Sequence, residues 1–186
     1  MWAEIFRRYM AVFLIGFVIK WLDDEVDFKE EAIISKNSTI KAQEYKLPYC
    51  LLFLSLAMLL DTYYSFALFT SAYIIGMFDI PFQKLPFGLK SYQEIIFILI
   101  INIMFVPIKT FIHSLTLILI IQLVDDLIDF YYDKRYGFKN FAVKFGRGEV
   151  LIATFILAVM SLMLSLVNTI IVLPVAFFIN YLYLRG

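Results

Sequence analysis

Residues 95–124 read IIFILIINIMFVPIKTFIHSLTLILIIQLV, a strongly apolar stretch with a break near its middle at Pro107-Ile108-Lys109. A helix crosses the hydrocarbon core of a bilayer in about 20 residues, so this stretch is longer than one crossing requires. Backbone polar groups in lipid must be hydrogen-bonded within their own helix. We therefore predict two short membrane helices that reverse direction at Pro107.

Two other stretches have the same organisation. Residues 47–78 are interrupted at Asp61-Thr62, and residues 151–184 are interrupted at Asn168. A shorter apolar stretch, 9–19, precedes them. One leading helix and three hairpins predict an all-α integral membrane bundle of about seven transmembrane helices, within a range of roughly six to eight, around a central cavity.

The composition is that of a membrane protein with balanced charge. Hydrophobic residues make up 62% of the chain, against about 45–50% in ordinary soluble domains. The 16 basic and 16 acidic residues give no basis for binding nucleic acid. Because hairpins return the chain to the side it left, 13 of the 16 Lys and Arg fall on the face with 20–46, 79–94, 125–149 and the C-terminus. The positive-inside bias makes that face cytoplasmic, in a multi-pass protein of the cell membrane.

Two acidic clusters lie on this face. WLDDEVDFKEE at 21–31 and LVDDLIDFYYDKRYG at 123–137 share one spacing of acids. Residues three and four apart share a face of a helix, so each cluster is predicted to form an acidic stripe where an apolar helix leaves the membrane. With the acid that precedes each stripe, the clusters are Asp23, Asp24, Asp27 and Glu31, and Asp125, Asp126, Asp129 and Asp133.

Like charges this close favour a bound cation, because their repulsion and loss of hydration at a membrane interface are costly. Carboxylate oxygens without His or Cys suit a hard ion, and Mg²⁺ binds through few carboxylates together with substrate phosphates. All the acids of both clusters are therefore candidate Mg²⁺ ligands. Two facing stripes would hold the ions around a diphosphate. The alternative is that the clusters are solvated acidic helix ends.

With these motifs the chain resembles the UbiA superfamily of membrane prenyltransferases. That family has an Asn-Asp-x-x-Asp-x-x-x-Asp motif early in the chain and a second Asp motif much later. Here Asp23 replaces the Asn and Glu31 replaces the last Asp. DLIDFYYDKRYGFKNFAVKFG at 126–146 is similar to the second motif, with Asn140 in place of a common Thr or Ser. FDIPFQKLP at 78–86 resembles the family's Tyr-Ser-x-Pro stretch with its following Lys.

The resemblance implies one membrane-embedded prenyltransferase-like domain, 1–186, with Mg²⁺ as cofactor. It implies transfer of a prenyl group from a prenyl diphosphate to a lipophilic or aromatic acceptor. Asp27 and Asp129 would be catalytic. Magnesium and lysine charge would neutralise the leaving diphosphate, and an aromatic-lined cavity would shield the allylic cation. The lysines assigned to the diphosphate are Lys36, Lys84, Lys134 and Lys139.

The chain also departs from the family. Members commonly have more spans, and an Arg-Pro-Leu that follows their first motif is absent here. An oligomer or a partner subunit would replace the missing spans. Two other functions stay open: a non-catalytic lipid- or partner-binding membrane subunit on a degenerate prenyltransferase scaffold, and a membrane terpene cyclase. A CDP-alcohol phosphotransferase is set aside, because its motif needs Asp-Gly and Ala-Arg pairs between the acids.

Three other residues are predicted to be structural. Cys50 lies in an apolar stretch and is expected to pack in the core. His113, the single histidine, is placed at the opposite end of the bundle from the acidic clusters. Asp61 is expected to be a turn residue at that same end.

Overall fold

The computed structural model describes residues 2–34, 46–78 and 88–185, with side chains at 2–23, 47–76 and 88–182. The described residues confirm the all-α prediction. Their helices are α1 (Trp2–Ile34), α2 (Lys46–Leu60), α3 (Thr62–Phe78), α4 (Ser91–Phe105), α5 (Ile108–Ile128), α6 (Phe130–Tyr136), α7 (Phe141–Phe145), α8 (Arg147–Leu164) and α9 (Leu166–Arg185).

Three pairs of long helices are joined by only one or two residues. Asp61 joins α2 to α3, Val106 and Pro107 join α4 to α5, and Ser165 joins α8 to α9. The Asp61 N–H donates to the Ala57 carbonyl at 3.0 Å, and the Asp61 carbonyl accepts from the Ser65 N–H at 3.0 Å. One residue therefore ends one helix and begins the next.

The third reversal does not fall where the sequence predicts it. α8 ends at Leu164, because the extended backbone of Ser165 (φ −162°, ψ 97°), three residues before Asn168, leaves the helical region. Pro174 lies inside α9 and does not end it. The reversals at Asp61 and Pro107 fall at the predicted positions.

Contacts between helices give the direction of each one. Trp21 of α1 stacks on Phe53 of α2 at 5.4 Å between ring centroids, whereas Arg8 at the start of α1 pairs with Asp61 at the end of α2. These two helices are therefore antiparallel. Tyr64, His113 and Thr169 lie near the starts of α3, α5 and α9 and contact one another, so these three helices run in the same direction as α1. The short connections reverse the chain, so α2, α4 and α8 run in the opposite direction.

A layer of buried polar side chains lies at the end of the bundle where the helices reverse. The Tyr64 hydroxyl contacts His113 Nδ1 at 3.1 Å, and His113 Nε2 contacts Thr169 Oγ1 at 3.0 Å. Thr169 Oγ1 also lies 2.8 Å from Ser161 Oγ. Tyr64, His113, Ser161 and Thr169 are each no more than 3% exposed. The sequence-based prediction that His113 is structural agrees with these contacts.

The rim of this layer is ionic. Arg8 Nε donates to Asp61 Oδ2 at 2.9 Å, and Arg8 Nη1 donates to Asn168 Oδ1 at 2.9 Å. The guanidinium lies 5.8 Å from the centre of the Tyr64 ring, which connects the rim to the buried residues. We call the whole set the polar layer: Arg8, Asp61, Tyr64, His113, Ser161, Asn168 and Thr169.

Two of the described helices, α5 and α8, are long and apolar enough to cross a membrane. The two helices lie in different environments: 39% of the most apolar stretch of α5 is buried inside the bundle, against 11% of that of α8. Leu151, Phe155 and Met163 of α8 point outward and are at least 60% exposed. α8 therefore presents an apolar face to the surroundings of the bundle.

The turn at Asp61 provides a test of the fold. Its carboxylate pairs with Arg8 and accepts the Tyr64 N–H at 3.2 Å, which caps α3. Losing such a cap costs about 1–2 kcal/mol. We therefore expect Asp61→Ala to lower the free energy of unfolding by about that amount in detergent, measured by thermal unfolding. Glu4→Ala removes an exposed acid from the same end and serves as control. Equal melting temperatures for the two variants would contradict the capping role.

Candidate functional site

A cavity of about 140 Å³ lies among the four helices that run in one direction, α1, α3, α5 and α9. Most of its wall is aliphatic and includes Ile15, Ile118 and Val172, and Phe177 is the one aromatic residue among the described lining. The expectation of an aromatic-lined cavity was therefore wrong. The end near the acidic clusters is different, because polar side chains from three helices line it. These are Lys20 and Asp23 of α1, Gln122 and Asp125 of α5, and Asn180 of α9.

The polar end contains one carboxylate from each acidic cluster. Lys20 Nζ lies 3.5 Å from Asp23 Oδ2, and Asn180 Nδ2 donates to Asp125 Oδ1 at 2.9 Å. The Asp23 side chain is 59% exposed and that of Lys20 is 27% exposed, so this end opens to solvent. Two acids and one base leave it with a formal charge of −1. The arrangement can bind an amphipathic molecule with a polar head and an apolar tail.

The remaining acids of the first cluster cannot be placed in the site. The backbone of Asp24, Asp27 and Glu31 belongs to α1, but their side chains lie outside the described residues. The predicted catalytic role of Asp27 is therefore a prediction still. Among the described side chains, no group of three or more His, Cys, Asp or Glu is placed to hold a metal ion.

Asp126 has a structural role that the sequence pattern does not indicate. Its Oδ2 accepts the Phe141 N–H at 2.8 Å, and the residue is only 6% exposed. The carboxylate therefore holds the start of α7 against the end of α5. Asp125, its neighbour, lines the cavity instead.

The second acidic stripe is not carried by one continuous helix. α5 ends at Ile128, and Asp129 is the single residue before α6. Asn140 brings Asp126 and Asp133 together, since its Nδ2 donates to the Asp126 carbonyl and to Asp133 Oδ2, each at 2.8 Å. The Asn140 Oδ1 also caps α7 by accepting the Val143 N–H at 2.9 Å. The predicted stripe therefore crosses the junction between α5 and α6, where the Asp129 N–H still donates to the Asp125 carbonyl at 2.9 Å.

The two glycines of the second motif are required by the backbone. Gly137 ends α6 with a φ of 77°, and Gly146 precedes α8 with a φ of 105°. Side chains with a Cβ are strained in this left-handed region. The Gly137 N–H donates to the Asp133 carbonyl at 2.8 Å, which closes α6 beside the acidic cluster.

Asp129 lies at the junction between α5 and α6, where several charges act on it. Partial burial raises the pKa of the Asp129 carboxyl, the negative charge of Asp133 raises it further, and the Lys20 ammonium lowers it. Lys20 therefore acts on both clusters: it pairs with Asp23 and influences Asp129.

The lysines assigned to the diphosphate are not part of the cavity wall as described. Lys36 and Lys84 lie outside the described residues. The ammonium of Lys134 lies 5.7 Å from the centre of the Phe130 ring, and Lys139 is exposed. The described cation at the cavity is Lys20.

Three polar residues of the cavity are missing from the sequence-based site. Lys20 and Gln122 each lie three residues before the first acid of a cluster, Asp23 and Asp125, so both lie one helical turn before it. That repeated spacing was a usable signal. Asn180 gives no comparable signal, because its partner Asp125 is far away in sequence.

No family model matches the chain, and neither the curated proteins nor the solved structures contain a match to it.

The charges around Asp129 give a prediction that titration can check. In Mg²⁺-free detergent, the labelled Asp129 carboxyl should titrate above the ordinary range by ¹³C NMR. Lys20→Met should raise its pKa further, and Asp133→Asn should lower it. Because protonation is favoured in the folded state, the contribution of Asp129 to stability should be lost as the pH rises through its folded pKa. Lys134→Met is the control, and an equal shift in that variant would contradict the assignment to Lys20.

Proposed function

We propose that this chain is a membrane-embedded, Mg²⁺-dependent prenyltransferase that moves a prenyl group from a prenyl diphosphate to a lipophilic or aromatic acceptor. One observation carries the proposal: Asp23 and Asp125, one from each acidic cluster, lie at the polar end of an otherwise aliphatic cavity. The clusters are far apart in sequence, so their convergence on one cavity supports a shared ligand.

The cavity suits a ligand with a charged head and an apolar tail. Burying the tail against residues such as Ile15 and Val172 removes apolar surface from water. The head would lie near Lys20, Asp23 and Asp125. A diphosphate alone would be repelled by the carboxylates of Asp23 and Asp125, so its binding here would need a cation.

The donor set at this end fits Mg²⁺, because carboxylate oxygens are ligands that this ion prefers. Asp23 and Asp125 would hold it, together with other acids of the two clusters. When bound, Mg²⁺ would neutralise charge on the leaving diphosphate. Asn180 orients the Asp125 carboxylate by donating to its Oδ1, and Lys20 supplies a further positive charge at the head group.

In the proposed reaction the bond between the first prenyl carbon and the diphosphate oxygen breaks, and the diphosphate leaves with the electron pair. The acceptor then forms a bond to that carbon and loses a proton. The aliphatic wall of the cavity would exclude water from the cationic carbon, and exclusion of water prevents hydrolysis in place of transfer.

The membrane setting is part of the proposal. The outward apolar face of α8 would contact lipid, and the seven long helices would be the spans. The four that run in one direction would then bring both acidic clusters to one face of the bilayer. The bias of Lys and Arg toward that face supports its assignment to the cytoplasm.

Activity can be tested without knowing the acceptor, by measuring the diphosphate released from labelled prenyl diphosphates in membranes that contain the chain and Mg²⁺. We expect Asp125→Asn and Asp23→Asn each to lower the release rate by about 10²–10³-fold, since each removes charge needed in the transition state. The double variant should add little, because residues that act as a unit are not additive. Asp27→Asn and Asp129→Asn should behave in the same way.

Glu149→Gln is the matched control, because it removes an exposed acid from the same end that does not line the cavity. It should leave the rate unchanged. Binding of the prenyl diphosphate with no release by the unaltered chain would instead support the non-catalytic subunit.

Orientation gives a separate prediction. After Cys50, the single cysteine, is replaced by Ser, single cysteines are placed at Tyr136 and Lys109, which lie at opposite ends of the bundle. An impermeant maleimide added to intact cells should label position 109 alone, and position 136 should react only after permeabilisation. The reverse pattern would contradict the cytoplasmic placement, and labelling of both positions would contradict the multi-pass arrangement.

A further inference from the structure

We propose that the polar layer is the floor of the cavity and limits the apolar tail of the ligand to at most about two or three isoprene units. The inference rests on the proposed function, because it concerns the tail of the prenyl diphosphate. It assigns the choice of chain length to residues far from both acidic clusters.

The deepest residues of the cavity and the polar layer follow one another on all four helices. On each helix, a residue of the layer lies three to five positions, or about one helical turn, beyond a residue that lines the cavity. The pairs are Arg8 with Val12 on α1, Tyr64 with Leu68 on α3, His113 with Ile118 on α5, and Thr169 with Val172 on α9.

The floor is closed and held by hydrogen bonds. Val12, Leu68 and Val172 are no more than 3% exposed, as are Tyr64 and His113 below them. Both ring nitrogens of His113 are engaged, one by Tyr64 and the other by Thr169. A longer tail would have to break these hydrogen bonds, and buried polar groups without partners are strongly unfavourable.

A second cavity lies on the other side of the polar layer. It has a volume of about 190 Å³, and its lining includes Lys109, His113, Ser165 and Asn168. On α5, His113 lines this polar cavity, and Ile118, five residues further along, lines the aliphatic one. Space beyond the floor is therefore available once the hydrogen-bonded side chains are gone.

The depth of the cavity gives the tail length. Its lining runs from Asp23 to Val12 on α1, from Asn180 to Val172 on α9 and from Asp125 to Ile118 on α5. At about 1.5 Å per residue these segments rise roughly 16, 12 and 11 Å. An extended chain advances about 1.2 Å per bond, so one isoprene unit of four main-chain bonds takes about 5 Å. Two or three units span this depth and are therefore the upper limit. The volume of about 140 Å³, close to that of an engineered cavity that binds benzene, favours the shorter tails.

The experiment measures binding of non-hydrolysable prenyl thiolodiphosphates with one to six isoprene units to the purified full chain in detergent with Mg²⁺. Affinity should rise by roughly tenfold or more per unit while apolar surface is still being buried. It should reach a maximum at no more than about two or three units and fall at four units and beyond, where the floor blocks the tail.

Two variants shift this maximum in opposite directions. Val12→Phe fills the deep end and should move the maximum down by about one unit, with the single-unit ligand still bound. Tyr64→Ala opens the floor and should allow four or more units. The matched control is Val159→Phe, at an exposed position on α8. This control should not move the maximum.

The contrary outcomes are distinguishable. If the unaltered chain binds long tails as tightly as short ones, or if Val12→Phe does not move the maximum, the floor is overturned while the proposed function stands. If no prenyl thiolodiphosphate binds at any length with Mg²⁺ present, the proposed function is overturned, and so is the inference that the polar layer limits the tail.

Discussion

Polar side chains inside an apolar bundle must bond to one another, and this requirement sets the arrangement of the helices. The polar layer joins residues of α1, α3, α5, α8 and α9 through contacts such as that between Tyr64 and His113. Moving any one of these helices along or about its axis would leave a buried donor or acceptor without a partner, which is costly. The aliphatic contacts between the helices are less directional, so they specify register less strongly.

That register determines what lies at the other end. Once Arg8, Tyr64, His113 and Thr169 share one level, the same four helices bring Lys20, Asp125 and Asn180 to another. The side chains of the polar layer therefore determine the arrangement of the acidic end, although they lie at the opposite end of the bundle. The two ends also differ in character: the side chains of the polar layer are hydrogen-bonded to one another, whereas the end near Asp23 is open and carries excess negative charge.

The sequence predicted the parts of the fold that depend on local chemistry. The reversals at Asp61 and Pro107 were visible, because an acid and a proline interrupt apolar stretches there. The end of α8 at Ser165 was missed, since serine is common inside membrane helices and the polar Asn168-Thr169 pair nearby was a stronger signal. The roles of Asp125 and Asp126 were not predictable: spacing treats them alike, and only the contact with Phe141 distinguishes them. The contacts among Tyr64, His113 and Thr169 were not predictable either, because these residues are about 50 positions apart and a local sequence pattern does not relate them.

The short connections at the reversal end have a consequence for how this sequence can change over time. Asp61 and Ser165 each link two helices with no spare residue. Inserting or deleting one residue there would turn the following helix by about 100° relative to its neighbour. All of its side chains would then face the wrong way, at both ends of the bundle. Length variation among natural relatives should therefore be confined to segments outside these corners, and gaps at Asp61 or Ser165 should be rarer than substitutions.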